Sequence, residues 1–216
     1  MKTLVLISGW ARNAKTYNQL IETCPSGWRV IIIPYHKIFP DQKNESIEEN
    51  LAKVLHKEAL DNIYLAGVSL GGEPCIKFAN RYPEKVRALF LIDSCGARSF
   101  FPGLEIIKSL FTMQTVRGVH RLKKDPSGAK DVFRRPLFYS KIIRHFLSLN
   151  LEDQIKSLAI PTTILWGEKD NLIKLEQGKR IHKLIPHSKL IILKEMDHSW
   201  ISYNPKLFWE NFEIKD

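Results

Sequence analysis

Runs of consecutive apolar residues alternate along the chain with segments whose apolar residues recur at helical spacing. An apolar run without an alternating polar face is typical of a strand buried on both sides of a parallel sheet. Such runs predict strands at residues 3–8, 28–35, 63–66, 86–93, 161–167 and 189–193. Helical spacing predicts helices at about 13–24, 46–56, 70–81, 172–184 and 208–214. The alternation predicts an α/β fold whose mostly parallel sheet has helices on both faces.

Residues 98–150 interrupt this alternation, because no strand pattern occurs between the fourth and fifth predicted strands. Apolar residues recur there at roughly helical spacing, namely Phe100, Phe101, Leu104, Ile107, Leu110, Phe111, Phe138, Ile142, Ile143 and Phe146. An insertion at this point lies over the carboxyl ends of the strands, where open α/β sheets bind ligands. We therefore predict a core of residues 1–97 and 151–216 and a helical lid at 98–150. Extra helical packing on the sheet edge is the plainer alternative.

A glycine-rich turn joins the third predicted strand to the helix that follows it. Gly67 and Gly71 flank Ser69 in a G-x-S-x-G arrangement. A serine on such a turn has a strained backbone and projects its hydroxyl above the sheet. The small neighbours keep the strand and the helix from colliding. The motif also arises by chance, but the flanking strand and helix patterns favour Ser69 as a nucleophile over a plain strand–helix turn.

A serine nucleophile needs a general base, and that base needs an acid to orient it. Among the seven histidines, His198 is the candidate base because it follows the last predicted strand and can reach the same sheet edge. Asp170, after the fifth strand, is the candidate acid, and Asp93, at the end of the fourth, competes with it. Asp197 is too close in sequence to His198 to orient its ring easily.

The order Ser69, Asp170, His198 resembles that of the α/β-hydrolase superfamily. The Trp-Gly-x-x-Asp segment at 166–170 and the Asp-His pair at 197–198 are similar to later motifs of that family, so the resemblance covers almost the whole chain. It begins at the family's third strand and therefore implies the α/β-hydrolase fold with a core sheet of about six strands.

The resemblance also assigns the groups that would stabilise an oxyanion. By analogy with the family, these are the backbone N–H groups of Trp10 and Leu70. We expect Gly9, Trp10 and Trp200 to line the substrate pocket. Where many relatives carry histidine before the first glycine, this chain has Ser8, which makes the geometry of that loop an open question.

The cysteines and histidines indicate which cofactors and which cellular compartment to expect. The three cysteines are widely spaced and odd in number, which fits a reducing compartment better than a disulfide framework. No Cys-x-x-Cys pair or histidine-rich cluster has metal-ligand spacing, and we expect no metal or cofactor. The first ten residues are more typical of a strand than of a signal segment. We therefore expect a cytoplasmic protein.

The net charge of +10 is concentrated in the predicted lid. Its basic residues are Arg98, Lys108, Arg117, Arg121, Lys123, Lys124, Lys130, Arg134, Arg135, Lys141 and Arg144, against the acidic Glu105, Asp125 and Asp131. A solvated face is the usual explanation of such a run. The sharper hypotheses are an acidic carrier protein or an anionic membrane surface. Without a recognised binding motif, we expect no nucleic acid.

The sequence thus predicts a serine esterase or thioesterase that acts on a small-molecule acyl substrate through an acyl-enzyme. The Gly9-Trp10 turn, the elbow and the basic lid are similar to those of bacterial esterases that demethylate pimeloyl groups on acyl-carrier protein. That resemblance would make an acidic carrier protein the partner. A C–C bond hydrolase or lyase with the same triad is one alternative. A non-catalytic binding protein on this scaffold is another, since folds host unrelated functions.

Overall fold

A computed structural model describes residues 1–42, 44–97 and 127–212, with 127–129 described by their backbone alone. The predicted apolar stretch from Phe100 to Phe111 lies outside the described residues. The described part of the predicted lid contains two helices, and the second of them, Pro136–Ser148, covers the apolar pattern at 138–146.

The strands of the described residues form one parallel sheet, as predicted. They are β1 (Lys2–Ile7), β2 (Trp28–Ile33), β3 (Ile63–Val68), β4 (Val86–Ile92), β5 (Thr162–Gly167) and β6 (Lys189–Leu193). The sheet has six strands in the order β2-β1-β3-β4-β5-β6, and every neighbouring pair is parallel. The sheet therefore has the strand number that the resemblance implies.

The α-helices of the described residues alternate with these strands. They are α1 (Asn18–Glu22), α2 (Ile47–Lys57), α3 (Gly72–Arg81), α4 (Ser127–Arg134), α5 (Pro136–Ser148), α6 (Glu152–Lys156), α7 (Leu175–Leu184) and α8 (Lys206–Glu210). The helix predicted at 13–24 divides into a 3-10 turn, Ala14–Tyr17, and the short α1. In these described ranges, no helix has the length and apolarity needed to cross a membrane.

Both faces of the sheet are covered, as the continuous apolar strands indicate. Along β1, Val5 and Ile7 pack into one buried cluster, while Leu4 and Leu6 pack into a second cluster on the other face. All four side chains are fully buried. Because successive residues of a strand point to opposite faces, an unbroken apolar run supplies both cores.

The strand order places a topological switch point between β1 and β3. From β1 the chain passes to β2 on one side, and it then returns to β3 on the other side. Ligands of open α/β sheets bind outside the carboxyl ends of the strands at such a point. Gly9 follows β1 and Ser69 follows β3 there, so the fold brings both predicted site segments together.

Helix α3 approaches the sheet so closely that one position has no room for a side chain. A Cβ atom at Gly71 would lie 2.2 Å from the carbonyl oxygen of Ile7 in β1. The φ angle of Gly71 is −60°, an ordinary helical value. Steric exclusion, not backbone freedom, therefore explains this glycine.

We expect Gly71→Ala to lower the free energy of unfolding by about 3 kcal/mol, because the new methyl group must push α3 away from β1. Urea denaturation would measure the loss. Gly27→Ala is the control: it sits at φ 81° with open space around it, so backbone strain alone should cost about 1 kcal/mol. Equal losses in the two variants would contradict the packing explanation.

Candidate active site

The turn between β3 and α3 has the geometry of a nucleophile elbow. Ser69 has a φ angle of 55°, in the left-handed region that is rare for a residue with a side chain. A Cβ atom at Gly67 would lie 2.6 Å from the carbonyl oxygen of Gly71. The backbone oxygen of Ser69 accepts a hydrogen bond from Cys95 N at 3.0 Å. Close packing of Gly67 against Gly71 and the hydrogen bond from Cys95 therefore fix the strained turn. Ser69 is half-buried at its tip.

Asp170 and His198 meet at the carboxyl end of the sheet. His198 Nδ1 lies 2.7 Å from Asp170 Oδ2. Asp170 Oδ1 accepts backbone hydrogen bonds from Leu172 N at 2.8 Å and Ile173 N at 2.9 Å. Each carboxylate oxygen of the buried Asp170 thus has a partner, and the side chain is fixed toward the imidazole.

The same hydrogen bonds explain where α7 begins. The sequence predicts a helix from Leu172, but α7 starts at Leu175. The Asp170 side chain binds the N–H groups of Leu172 and Ile173 in a local turn, a competition with helix formation that is typical of aspartate. The shorter helix is a consequence of holding the carboxylate in place.

Asp93, the competing acid, is buried in a different role. Its Oδ1 accepts a hydrogen bond from Gly167 N at 2.8 Å, and its Oδ2 has no partner among the described residues. Its carboxylate, that of Asp170 and a ring nitrogen of His198 lie within 4.8 Å of one another. Burial, reinforced by the charge of Asp170, raises the pKa of Asp93 well above its ordinary 3.8.

Strand register brings the serine to the same place. Val68 pairs with Ile92 across β3 and β4, so Ser69 and Asp93 follow at adjacent strand ends. The Asp93 carboxylate in turn lies close to His198. Ser69, Asp170 and His198, each of which follows a different strand, therefore all lie at the carboxyl end of the sheet.

The imidazole of His198 is tuned by opposing effects. Burial alone lowers its pKa, but the negative charge and hydrogen bond of Asp170 outweigh burial and raise the pKa above the ordinary 6.5. The His198 side chain is 13% exposed, so it is not sealed off from the solvent. His198 is thus a stronger base than a free imidazole.

Asp93, Asp170 and His198 have the residue types of a metal site. Both oxygens of Asp170 are already engaged by His198 and by backbone N–H groups. The burial that raises the pKa of Asp93 also opposes metal binding, because a carboxyl group must lose its proton to bind a cation. The arrangement suits a charge-oriented base better than a metal centre.

The predicted oxyanion turn lies against the nucleophile. A Cβ atom at Gly9 would lie 3.0 Å from Ser69 Cβ and 3.5 Å from Ser69 Oγ. Trp10 comes next and is half-buried, and Leu70 lies in the 3-10 turn directly after Ser69. The structure thus brings Gly9, Trp10 and Leu70 together around the serine.

Ser8, which stands where many relatives carry histidine, holds the loop after β1 through its hydroxyl group. Its hydroxyl donates to Arg12 O at 2.9 Å and accepts from Tyr35 N at 3.3 Å. The buried serine therefore ties the loop after β1 to the segment after β2. Trp200, in contrast, is fully buried in the second core cluster, and its role in the pocket stays a prediction.

Two residues near the site were not singled out by sequence reasoning. Tyr139 of α5 meets the Trp10 ring edge-on, with ring centroids 5.8 Å apart. Glu73, four residues after Ser69, is fully buried. A charged residue in the first turn of a helix that packs on a sheet was the available signal for Glu73. Tyr139 had no signal beyond helical periodicity.

We expect the pKa of His198 to lie above 6.5 in the wild-type protein and to fall in Asp170→Asn, because the charge and hydrogen bond of Asp170 are lost while burial and the neighbouring Asp93 remain. NMR of the imidazole resonances would measure both values. Asp93→Asn is the matched variant, since asparagine keeps the oxygen that Gly167 N binds and tolerates the φ angle of 42°. A larger shift in Asp93→Asn than in Asp170→Asn would contradict the pairing.

No family model matches the chain. Lipase 1 of Psychrobacter immobilis is 26% identical in an alignment that covers 90% of this chain and 70% of that protein. A pimeloyl-[acyl-carrier protein] methyl ester esterase of Hamiltonella defensa is 21% identical in an alignment that covers 90% of this chain and 85% of that protein.

Solved structures show the same fold. A bacterial membrane phospholipase A matches with a TM-score of 0.79 at 18% identity, covering 98% of this chain and 77% of the other. An α/β hydrolase from a metagenome of lagoon sediments matches with a TM-score of 0.72 at 18% identity, covering 97% of this chain and 87% of the other. The comparisons support a hydrolase. The chain has the α/β-hydrolase fold, as its motifs predicted.

Proposed function

We propose that this protein is a serine hydrolase that cleaves a carboxylic ester or thioester through an acyl-enzyme. The observation that carries the proposal is the 2.7 Å contact of His198 Nδ1 with Asp170 Oδ2, at the sheet edge where Ser69 stands on a strained turn. A base held by a buried carboxylate beside an elbow serine is the arrangement that activates a hydroxyl nucleophile.

The proposed reaction has two halves. Ser69 Oγ attacks the carbonyl carbon of the substrate while His198 Nε2 takes the hydroxyl proton, and Asp170 stabilises the imidazolium. The tetrahedral intermediate collapses, and the leaving alcohol or thiol departs with the proton from His198. Water then attacks the acyl-enzyme, again losing its proton to His198, and the acid is released with Ser69 restored. The rate should rise with pH through the neutral range, because only neutral His198 accepts a proton.

The Gly9–Trp10 turn supplies the proposed oxyanion hole. Negative charge develops on the substrate carbonyl oxygen, and fixed backbone N–H groups stabilise it. We assign the donors to Trp10 N and Leu70 N. The close contact of Gly9 with Ser69 supports this assignment, because a side chain at that position would crowd the nucleophile.

Ser69→Ala should remove labelling by a fluorophosphonate probe and lower p-nitrophenyl ester turnover by at least about 10³-fold, because the attacking oxygen is gone. Gel fluorescence and absorbance at the nitrophenolate band would measure the two effects. Ser94→Ala is the control, since Ser94 is also buried near the elbow and its hydroxyl donates to Cys95 O.

The outcomes separate the proposed reaction from its alternatives. Retained labelling in Ser69→Ala would contradict Ser69 as the nucleophile. A labelled wild-type protein that turns over no ester or thioester of any chain length would favour a C–C bond hydrolase or lyase. An unlabelled, folded wild-type protein would favour a binding protein on this scaffold.

We further propose that the α4–α5 corner docks on an anionic membrane surface. Residues 127–150 contain five basic side chains and one acid. The basic residues are Lys130, Arg134, Arg135, Lys141 and Arg144. The acid, Asp131, is already engaged by the Tyr139 hydroxyl at 2.6 Å and by Arg135. The corner therefore presents net positive charge, which attracts anionic lipid.

Two apolar side chains stand out from this basic surface. Phe133 is 86% exposed and Leu137 is 80% exposed. Exposed aromatic and aliphatic side chains beside lysine and arginine are typical of segments that insert into the headgroup region. They favour a lipid surface over an acidic carrier protein, for which charge alone would suffice.

The double variant Phe133→Ser/Leu137→Ser should bind vesicles containing phosphatidylglycerol at least about tenfold more weakly than the wild type. The reason is that it lacks the two apolar side chains that would be buried in the lipid. Co-sedimentation would measure binding, with phosphatidylcholine vesicles as the neutral reference. Leu147→Ser is the matched control, since Leu147 is an exposed apolar residue at the other end of α5. Binding to an acidic acyl-carrier protein, without binding to anionic vesicles, would contradict the membrane proposal.

A further inference from the structure

A fully buried carboxylate outside the catalytic groups joins three parts of the chain. Glu73 lies in the first turn of α3 and has no exposed surface. Tyr35 Oη donates to its Oε2 at 2.8 Å. Lys77 Nζ and His145 Nε2 both contact its Oε1, each at 2.8 Å. We call Glu73 and these three partners the Glu73 cluster.

The partners of Glu73 stabilise the charged form of its carboxylate. Burial alone would raise the pKa of Glu73, but the hydrogen bonds and charges of His145 and Lys77 outweigh burial and hold the pKa below the ordinary 4.5. The amino end of α3 also favours negative charge. A buried carboxylate that loses a partner is destabilised by an uncompensated charge. Removing any one partner of Glu73 should therefore lower the stability of the protein.

The three partners differ in where they come from. Tyr35 follows β2, and Lys77 lies one turn further along α3. Both belong to the core that surrounds the sheet. His145 lies on α5, in the insertion. Of the three, only the His145 contact depends on α5 being docked against α3.

The same helix forms a wall beside the nucleophile. Tyr139 of α5 is buried and meets the Trp10 ring edge-on at 5.8 Å. Trp10 follows Gly9, whose backbone lies against Ser69. Ile142, midway between Tyr139 and His145 on α5, is fully buried. Because a helix moves as a rigid unit, a shift at His145 reaches the Trp10–Tyr139 contact.

We propose that Glu73 is a positioning residue: through His145 it holds α5 against α3, and it thereby sets the Trp10–Tyr139 wall at the distance from Ser69 that the acyl chain of the substrate requires. This inference rests on the proposed function of Ser69. It assigns to the Glu73 cluster the fit of the acyl chain, while the triad carries out the chemistry.

Apolar contacts also hold α5, which limits the size of the effect. Phe39 lies 5.5 Å from the His145 ring and 5.9 Å from the Phe138 ring, centroid to centroid. Loss of the His145 contact should therefore loosen α5 without releasing it. Long acyl chains, which need the whole wall, should be affected more than acetate.

The test compares two variants that each remove one partner from the same oxygen. His145→Leu removes the contact from the insertion, and Lys77→Met removes the contact from α3 itself. In His145→Leu we expect KM for p-nitrophenyl octanoate to rise about five- to tenfold. For p-nitrophenyl acetate, kcat should stay within about twofold of the wild type. Lys77→Met should lower the melting temperature while leaving both kinetic values near those of the wild type.

Hydrogen exchange of the peptide spanning 136–148 supplies a readout that does not depend on catalysis. Exchange should be faster in His145→Leu than in the wild type or in Lys77→Met, because only the first variant loses the link to α3. His145→Gln, which keeps a side-chain N–H donor, should restore part of the protection and part of the KM. In Glu73→Met, which removes the oxygen that His145 contacts, replacing His145 by Leu should add little further to KM, because both changes break the same link.

Each outcome decides the proposal. Equal changes in KM for His145→Leu and Lys77→Met would overturn it, since the cluster would then act only through stability. Faster exchange in His145→Leu with an unchanged KM would also overturn it, because docking of α5 would not set the wall. If the wild type cleaves no ester, the proposed function fails. The exchange data would still decide whether His145 docks α5.

Discussion

The site depends on the lack of room for side chains where β3 turns into α3. At Gly67 and Gly71 a Cβ atom would lie 2.6 and 2.2 Å from backbone oxygens. Helix α3 can therefore start directly beside β1 and beside the end of β3. This proximity forces Ser69 into the left-handed region, with a φ angle of 55°. A steric constraint at two glycines thus positions a hydroxyl at the switch point of the sheet.

Two buried carboxyl groups near His198 illustrate how environment separates chemical roles. Asp170 receives two backbone N–H bonds and contacts the imidazole, which is the environment that a charged carboxylate needs. Asp93 receives one backbone bond and has an oxygen without a partner in the described part of the chain. Burial then favours its protonated form. Asp93 is better suited to tying β4 to β5 than to orienting the base.

The described part of the insertion has a side that packs on the core and a corner that is exposed. Its buried side carries Tyr139 and Ile142 against the core, with His145 on the Glu73 carboxylate. Its exposed corner carries Phe133 and Leu137 among basic residues. Under the two proposals, α5 and its corner with α4 would contact a membrane on one side and set the acyl pocket on the other. If both proposals hold, lipid binding at the corner and the KM for long acyl chains would be coupled through α5.

The sequence by itself determined the fold and the order of the candidate catalytic groups. Apolar runs and helical spacing are local signals, so the strands were predicted within a few residues, and the G-x-S-x-G spacing pointed to Ser69. Tertiary structure decided which acid faces His198, since Asp93 and Asp170 both follow strands and differ only in their neighbours. It also decided that Glu73 is buried with His145, 72 residues away in the chain. Contacts across such separations depend on how the elements pack, and no local pattern records them.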